Sequence, residues 1–187
     1  MAYAPYFAEQ SPRITHRFWE WIRSNEGEYD VGFISTPKER GGEMSLLDIA
    51  YVPPVAVPPS DTVRSAVAMA EPSGCDAVAV VEQDRLVGIL TSRDVLLKIV
   101  IPRRDSGSVL VREVMTSPVI TLKPDTDPET ALQTFLDHNF RHLPISIDGE
   151  KLEGMLSLRK LLKFIVQDQQ ENLLHLETFI NVDGIGG

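Results

Sequence analysis

Apolar and polar positions along the chain follow a pattern that occurs twice. In its first occurrence a short apolar run, Val55 to Val57, precedes a proline turn and a segment with apolar residues at helical spacing. Two β-rich runs, 77–81 and 86–90, follow with a polar turn between them, and a second helical segment closes the unit. The pattern predicts a β-α-β-β-α order.

The same order returns further along the chain. Residues 55–66 match residues 120–131 at an offset of 65, and residues 86–96 match residues 152–162 at an offset of 66. A sheet as small as the one in each copy cannot cover its own apolar face, so the two copies are expected to pack together. We therefore predict an α+β fold of two tandem β-α-β-β-α repeats.

Capping residues indicate where the first helix of each copy begins. Thr62 is a good N-cap for the first helix, and Asp127 followed by Pro128 marks the start of the second. The apolar residues expected on one face of these helices are Val63, Ala66, Val67 and Ala70 in the first copy, and Ala131, Leu132, Phe135 and Leu136 in the second. A strand at Val119 to Leu122 is predicted to open the second copy.

Both ends of the chain extend beyond the repeats. Ser11 and Pro12 begin a predicted amphipathic helix, which either packs on the repeats or docks a partner. The last helix of the second copy is predicted to continue to about Ile180. The predicted division is 1–45 for the N-terminal extension, 46–106 and 107–168 for the two repeats, and 169–187 for the C-terminal helix and tail.

Composition and charge narrow the classes of function. The net charge of −9 repels phosphate backbones, so neither nucleic acid nor an anionic membrane is an expected partner. No apolar run reaches membrane-spanning length, the N-terminus lacks a secretory-signal pattern, and the single Cys75 suits a reducing cytoplasm. The four histidines have no metal-ligand spacing, and neither a phosphate-binding glycine loop nor a nucleophile elbow occurs, so we expect no metal and no catalysis.

Three motifs carry a resemblance to a known family. The first copy has Gly88 followed by Thr91-Ser-Arg-Asp94 at a predicted strand-to-helix junction. The second copy opens with Val114-Met115-Thr116-Ser-Pro118 and has Arg141-His142-Leu143-Pro144-Ile145 at the start of a strand. In their order, spacing and repetition these motifs resemble the cystathionine-β-synthase (CBS) domain family over residues 46–168.

The resemblance implies a pair of CBS domains about a pseudo-two-fold axis, often called a Bateman module. Such modules are non-catalytic, usually bind adenosine derivatives in two clefts between the domains, and often dimerise. We therefore expect a regulatory or sensor module that requires no cofactor, takes AMP, ADP or ATP as its ligand, forms a homodimer and acts on a separate effector protein. Two alternatives stay open: an interaction or dimerisation module without nucleotide, and a binder of S-adenosylmethionine or a similar adenosyl ligand.

A nucleotide site needs an apolar slot for the base, an acceptor for the ribose hydroxyls and donors for phosphate. The spacing of Thr91 and Asp94 is by itself more typical of a helix cap. The resemblance assigns Thr91 to phosphate and Asp94 to the ribose. It also implies that Met115, Pro118 and Ile120 lie against the base, with Phe140 and Arg141 at the rim and His142 nearby. Local positive charge for the phosphate is expected from Arg93, Arg141 and His142.

The second cleft departs from the family pattern. Ser157 keeps the hydroxyl of Thr91, but Lys160 stands where the ribose carboxylate is expected, and an ammonium cannot accept a hydrogen bond. The matching slot would be formed by Pro53, Val55, Gly74, Cys75 and Asp76. We expect this cleft to be weaker, empty or altered in preference, with Lys160 either paired with Asp76 or binding a polyphosphate.

Overall fold

The first repeat forms a three-stranded sheet, with one helix between its first and second strands and another helix after its third strand. The computed structural model describes residues 44–183, so the predicted N-terminal helix and the glycine-rich tail lie outside the described residues. The elements of this repeat are β1 (Ala56–Val57), α1 (Val63–Ala70), β2 (Ala77–Glu82), β3 (Arg85–Thr91) and α2 (Ser92–Val95), which continues as a π-helical turn over Leu96–Val100. Strand β1 pairs in parallel with β2, and β2 pairs antiparallel with β3.

The predicted helix start at Thr62 is confirmed. The Thr62 side chain accepts a hydrogen bond from the Ser65 amide at 3.2 Å, as an N-cap does. Val63 and Ala66 are fully buried in the core of the repeat, but Val67, which was expected on the same face, is 45% exposed. The apolar stripe therefore extends beyond the surface that the sheet covers.

The second repeat keeps the helix-strand-strand-helix part of this order, but its sheet has two strands in place of three. Its elements are α3 (Val111–Val114), α4 (Pro128–His138), β4 (His142–Ile145), β5 (Gly154–Ser157) and α5 (Leu158–Asp183), with β4 and β5 antiparallel. Asp127 accepts from the Thr130 amide at 2.8 Å, so the predicted cap of α4 is confirmed. The predicted strand at Val119 to Leu122 is wrong as a strand, because only Leu122 forms a bridge, parallel with Ile145.

The segment that leads into each repeat pairs with the other repeat. Thr116, in the opening segment of the second repeat, bridges Ile89 of β3, with amide-to-carbonyl distances of 2.8 and 3.0 Å. Tyr51, in the opening segment of the first repeat, bridges Met155 of β5 in the same way, at 2.8 and 3.1 Å. We name residues 45–52 and 110–116 the lead segments. Their exchange joins the repeats into one α+β body.

A glycine at the equivalent point of each repeat admits the opposing lead segment. A Cβ built on Gly88 would lie 2.5 Å from the Met115 sulfur and 3.3 Å from the Thr116 carbonyl oxygen. A Cβ on Gly154 would lie 2.8 Å from a methyl carbon of Leu47. The repeated glycine of the sequence motif is therefore a point of close approach between backbone and neighbouring chain. Across residues 44–183, no helix is long and apolar enough to cross a membrane.

Candidate ligand-binding cleft

A cavity of about 690 Å³ lies between the two repeats. This volume suits a ligand of nucleotide size. Its walls come from the β3–α2 corner of the first repeat, from the stretch that follows the second lead segment, and from the α4–β4 junction. The predicted site residues that line it are Thr91, Arg93, Asp94, Pro118, Ile120, Phe140, Arg141 and His142.

Thr91 and Asp94 form a helix cap at the corner of β3 and α2. The Thr91 side chain accepts from the Asp94 amide at 3.3 Å, and Asp94 Oδ2 accepts from the Thr91 amide at 3.0 Å. The Thr91 hydroxyl also donates to Oδ2 at 2.6 Å. The capping reading of the Thr-x-x-Asp spacing is therefore correct, and the same two residues also line the cavity.

The other carboxylate oxygen of Asp94 accepts hydrogen bonds from two further side chains. Lys98 Nζ donates to Oδ1 at 2.7 Å, and Thr116 Oγ1, from the second lead segment, donates to it at 3.1 Å. Burial would raise the pKa of the Asp94 carboxyl, but hydrogen bonds from Lys98 and Thr91 outweigh it and hold this pKa below its usual value. Asp94 is 8% exposed and is a fully bonded, ionised acceptor.

Met115 is one predicted site residue that the structure places elsewhere. Its sulfur lies over Gly88, and its side chain packs against the core of the first repeat. The neighbouring Thr116 lines the cavity instead. The reason is the alternation of side chains along an extended segment, which sends successive residues to opposite sides.

The cavity is also lined by residues that were not among the ligand contacts expected for this cleft. These residues are Asp76, Ile89, Ser92, Leu96, Leu97, Thr116, Val119, His138, Asn139, Leu143 and Pro144. His138 and Phe140 stack with ring centroids 5.2 Å apart at an interplanar angle of 14°. The sequence indicated Val119 indirectly, because it stands between the expected Pro118 and Ile120. For His138 no motif gave a signal.

His142 brings a titratable ring into the cavity wall. Burial lowers the pKa of its imidazole, while the nearby Asp76 carboxylate opposes that effect in part and Arg141 adds to it. The ring is therefore neutral at pH 7, so the expectation that His142 supplies positive charge is wrong. Arg93 and Arg141, both exposed, bring positive charge to this cavity of an otherwise acidic protein.

The residues expected in the second cleft gather only in part. Gly74 accepts from the Tyr51 hydroxyl and Cys75 lies close to Lys160, whereas other members lie elsewhere. Val55 lies in the core of the first repeat, because it shares the inward face of its strand with Val57. Pro53 is exposed, and Asp76 lines the first cavity instead. Cys75 is buried, mainly against apolar neighbours, and burial raises the pKa of its thiol.

Lys160 and Ser157 lie at the β5–α5 corner, where Asp94 and Thr91 lie in the first repeat. The Ser157 hydroxyl accepts from the Lys160 amide at 3.3 Å, as a helix cap does. The Lys160 ammonium donates to the Ala50 carbonyl at 3.1 Å and lies 3.8 Å from the centroid of the Tyr51 ring. The predicted pairing with Asp76 is absent, because the ammonium is held by the first lead segment.

Among the residues that the structure describes, no cluster of His, Cys, Asp or Glu is arranged to hold a metal ion.

Comparison with known proteins identifies the repeats. The family model of the CBS domain matches the chain twice, at residues 48–101 and 111–167, which is more than half of the chain. The mitochondrial CBS domain-containing protein CBSX3 of Arabidopsis thaliana is 35% identical over 125 residues, which are 64% of this chain and 60% of that protein.

Solved structures share the fold. A protein with CBS domains from Burkholderia ambifaria MC40-6 superposes with a TM-score of 0.61 at 30% identity, covering 67% of this chain and 96% of that one. The CBS domain protein PAE2072 of Pyrobaculum aerophilum, solved in complex with AMP, has a TM-score of 0.56 at 24% identity, covering 63% and 89%. At that identity the likeness to the second protein concerns the fold.

Proposed function

Because the chain belongs to the CBS domain family, we propose that it is a non-catalytic regulatory module that binds an adenine nucleotide in the Asp94 cleft. The observation that carries the proposal is a buried, ionised carboxylate beside an apolar slot and two arginines in one cavity of about 690 Å³. The Pyrobaculum protein that shares this fold was solved with AMP. AMP, ADP and ATP are the proposed ligands, and no cofactor is required.

Each part of a nucleotide has a matching part of the cleft. Pro118, Val119 and Ile120 offer an apolar wall for the base. Asp94 offers acceptors for the ribose hydroxyls, and the Arg93 and Arg141 guanidinium groups offer charged donors for phosphate. In this arrangement the base lies against the second repeat, the ribose binds the first, and the phosphate binds one arginine from each.

The hydrogen bonds that Asp94 already accepts indicate which of them a ribose would have to replace. A carboxylate has about four acceptor positions, and here they are taken by the Thr91 amide, the Thr91 hydroxyl, Lys98 and Thr116. The two donors on Oδ1 are side chains that can rotate away without opening the helix cap. The ribose hydroxyls are therefore expected to replace Lys98 and Thr116.

Titration of the purified protein with AMP, ADP, ATP and S-adenosylmethionine, each alone, tests the proposal. Isothermal calorimetry should detect binding of at least one adenine nucleotide, and Asp94→Asn should weaken it by about 10- to 150-fold, the loss of a charged hydrogen-bond acceptor. Lys160→Ala, at the matching position of the second repeat, should leave this affinity unchanged. Equal affinity in Asp94→Asn and the parent would remove the ribose assignment; preference for S-adenosylmethionine would replace the ligand class.

We also propose that the module is a homodimer. The end of α2 and the residue after it carry an apolar surface of Leu96, Leu97, Val100 and Ile101, which are 57%, 52%, 57% and 70% exposed. Such a cluster on one helix favours burial against another protein surface. Light scattering at micromolar concentration should give a dimer for the parent and a monomer for Ile101→Lys; a monomeric parent would exclude this surface as a dimer contact.

A further inference from the structure

The two clefts can be compared position by position, because the lead segments exchange symmetrically. The repeat offsets of 65 and 66 relate Thr116 to Tyr51 and Asp94 to Lys160. In the first cleft, Thr116 donates to Asp94 at 3.1 Å. In the second cleft, the Tyr51 ring receives the Lys160 ammonium at 3.8 Å. The same two positions therefore meet in both clefts, with opposite chemistry.

The Thr116–Asp94 pair of the first cleft leaves space for a ligand, and it offers the ligand a hydrogen-bond acceptor. Thr116 is small and exposed, and it can turn its hydroxyl away from Asp94. The carboxylate that remains can accept from two ribose hydroxyls.

The Tyr51–Lys160 pair of the second cleft offers neither space nor an acceptor. The ammonium of Lys160 has only donors, and it is already bonded to the Ala50 carbonyl at 3.1 Å. The Tyr51 ring fills the place of the small threonine side chain and is held at its far end, where its hydroxyl donates to the Gly74 carbonyl at 3.3 Å. The Tyr51 backbone is fixed as well, through both hydrogen bonds with Met155.

We propose that Tyr51 and Lys160 are specificity-determining residues that exclude ribose ligands from the second cleft and clamp the first lead segment onto the second repeat. The chain then binds one adenine nucleotide, in the Asp94 cleft. This inference rests on the proposed function for its ligand, but the clamp is a property of the protein without nucleotide. An attraction between ammonium and ring of this kind is substantial when it is partly desolvated.

Counting bound nucleotides tests the exclusion. Equilibrium dialysis with AMP and with ATP should give one per chain for the parent and two for Tyr51→Thr/Lys160→Asp, which copies the Thr116–Asp94 pair. In an Asp94→Asn background the same double substitution should improve affinity at least about tenfold. Lys160→Asp alone is the matched control; it keeps the Tyr51 ring and should stay at one. Two equal sites in the parent, or no gain in a folded double variant, would overturn the exclusion.

Hydrogen exchange without nucleotide tests the clamp. In Lys160→Met the amides of Tyr51 and Met155 should exchange at least about threefold faster than in the parent, because the ammonium no longer holds the lead segment. The amides of Ile89 and Thr116, which form the equivalent bridge of the first cleft, should be unchanged. If no nucleotide binds to any variant, the proposed function fails and exchange alone decides the clamp. Unchanged exchange at Tyr51 and Met155 would overturn it.

Discussion

Lys98 is expected to hold the Asp94 corner together, and its removal gives a measurable loss of stability. Its ammonium donates to Asp94 Oδ1 and to the Val114 carbonyl, both at 2.7 Å, and so ties α2 to the second lead segment. A hydrogen bond to a charged group contributes about 1.5–3 kcal/mol, but the Lys98 side chain is 40% exposed, so solvent screening reduces its share to about 1–2 kcal/mol. Lys98→Met should lower the free energy of unfolding by that amount.

A double-mutant cycle separates the ion pair from the packing of the lysine stem. Urea unfolding followed by far-ultraviolet circular dichroism should be measured for the parent, Lys98→Met, Asp94→Asn and the double variant. We expect a coupling energy of about 1 kcal/mol between the two positions. Lys163→Met, the same change at an exposed lysine of α5, should cost less than about 0.5 kcal/mol.

The pH dependence gives a second check. The pKa of Asp94 lies below its ordinary value of 3.8, so its stabilisation is present above that value and is lost as the pH falls through the lower folded pKa. The gap between parent and Lys98→Met should therefore be constant near neutral pH and shrink below roughly pH 4. A parent and a Lys98→Met variant of equal stability at pH 7, with no coupling in the cycle, would refute the reasoning.

Three further outcomes are expected. Gly88→Ala should destabilise the fold by about 1–3 kcal/mol in urea unfolding, because its Cβ would lie 2.5 Å from the Met115 sulfur and the Met115 side chain would have to move; an unchanged midpoint would contradict the close approach. His142 has a folded pKa below its usual 6.5, so the unfolded chain binds more protons and stability should fall as the pH drops through about 6.5; His142→Gln should flatten that slope, and an equal slope would show that another group causes it. Nucleotide should slow hydrogen exchange at 88–96 and 114–121 and change it at 167–180; protection of the first two ranges alone would mean that α5 does not transmit binding.

The local parts of the fold could be predicted from sequence because they depend on neighbours in the chain. The caps at Thr62 and Asp127 are set by residues three positions apart, and so is the Thr91–Asp94 corner. The strand expected at Val119 was wrong because apolar, β-branched residues indicate burial in a sheet but not which surface they cover. Here Val119 lines the cavity between the two repeats.

Contacts between the repeats could not be predicted in the same way. Helical periodicity placed Leu136 on the inner face of α4, yet it is 60% exposed, since period alone does not determine how wide a face the sheet covers. The pairing of Tyr51 with Lys160 joins residues more than a hundred positions apart, and only the exchanged lead segments bring them together. The sequence shows that position 160 has no carboxylate. It does not show that the Tyr51 side chain lies beside Lys160 in the second cleft.

Because the lead segments are exchanged, neither repeat is structurally complete without the other. A chain divided within the exposed stretch 101–105 would give two fragments, each carrying the segment that completes the other. The bridges Tyr51–Met155 and Thr116–Ile89 would then have to form between separate molecules, so the fragments should assemble as complements and not stand as independent domains. In the intact chain we expect the same reciprocity to make the two repeats unfold together. A disturbance at one corner is thereby felt in the folding free energy of both repeats.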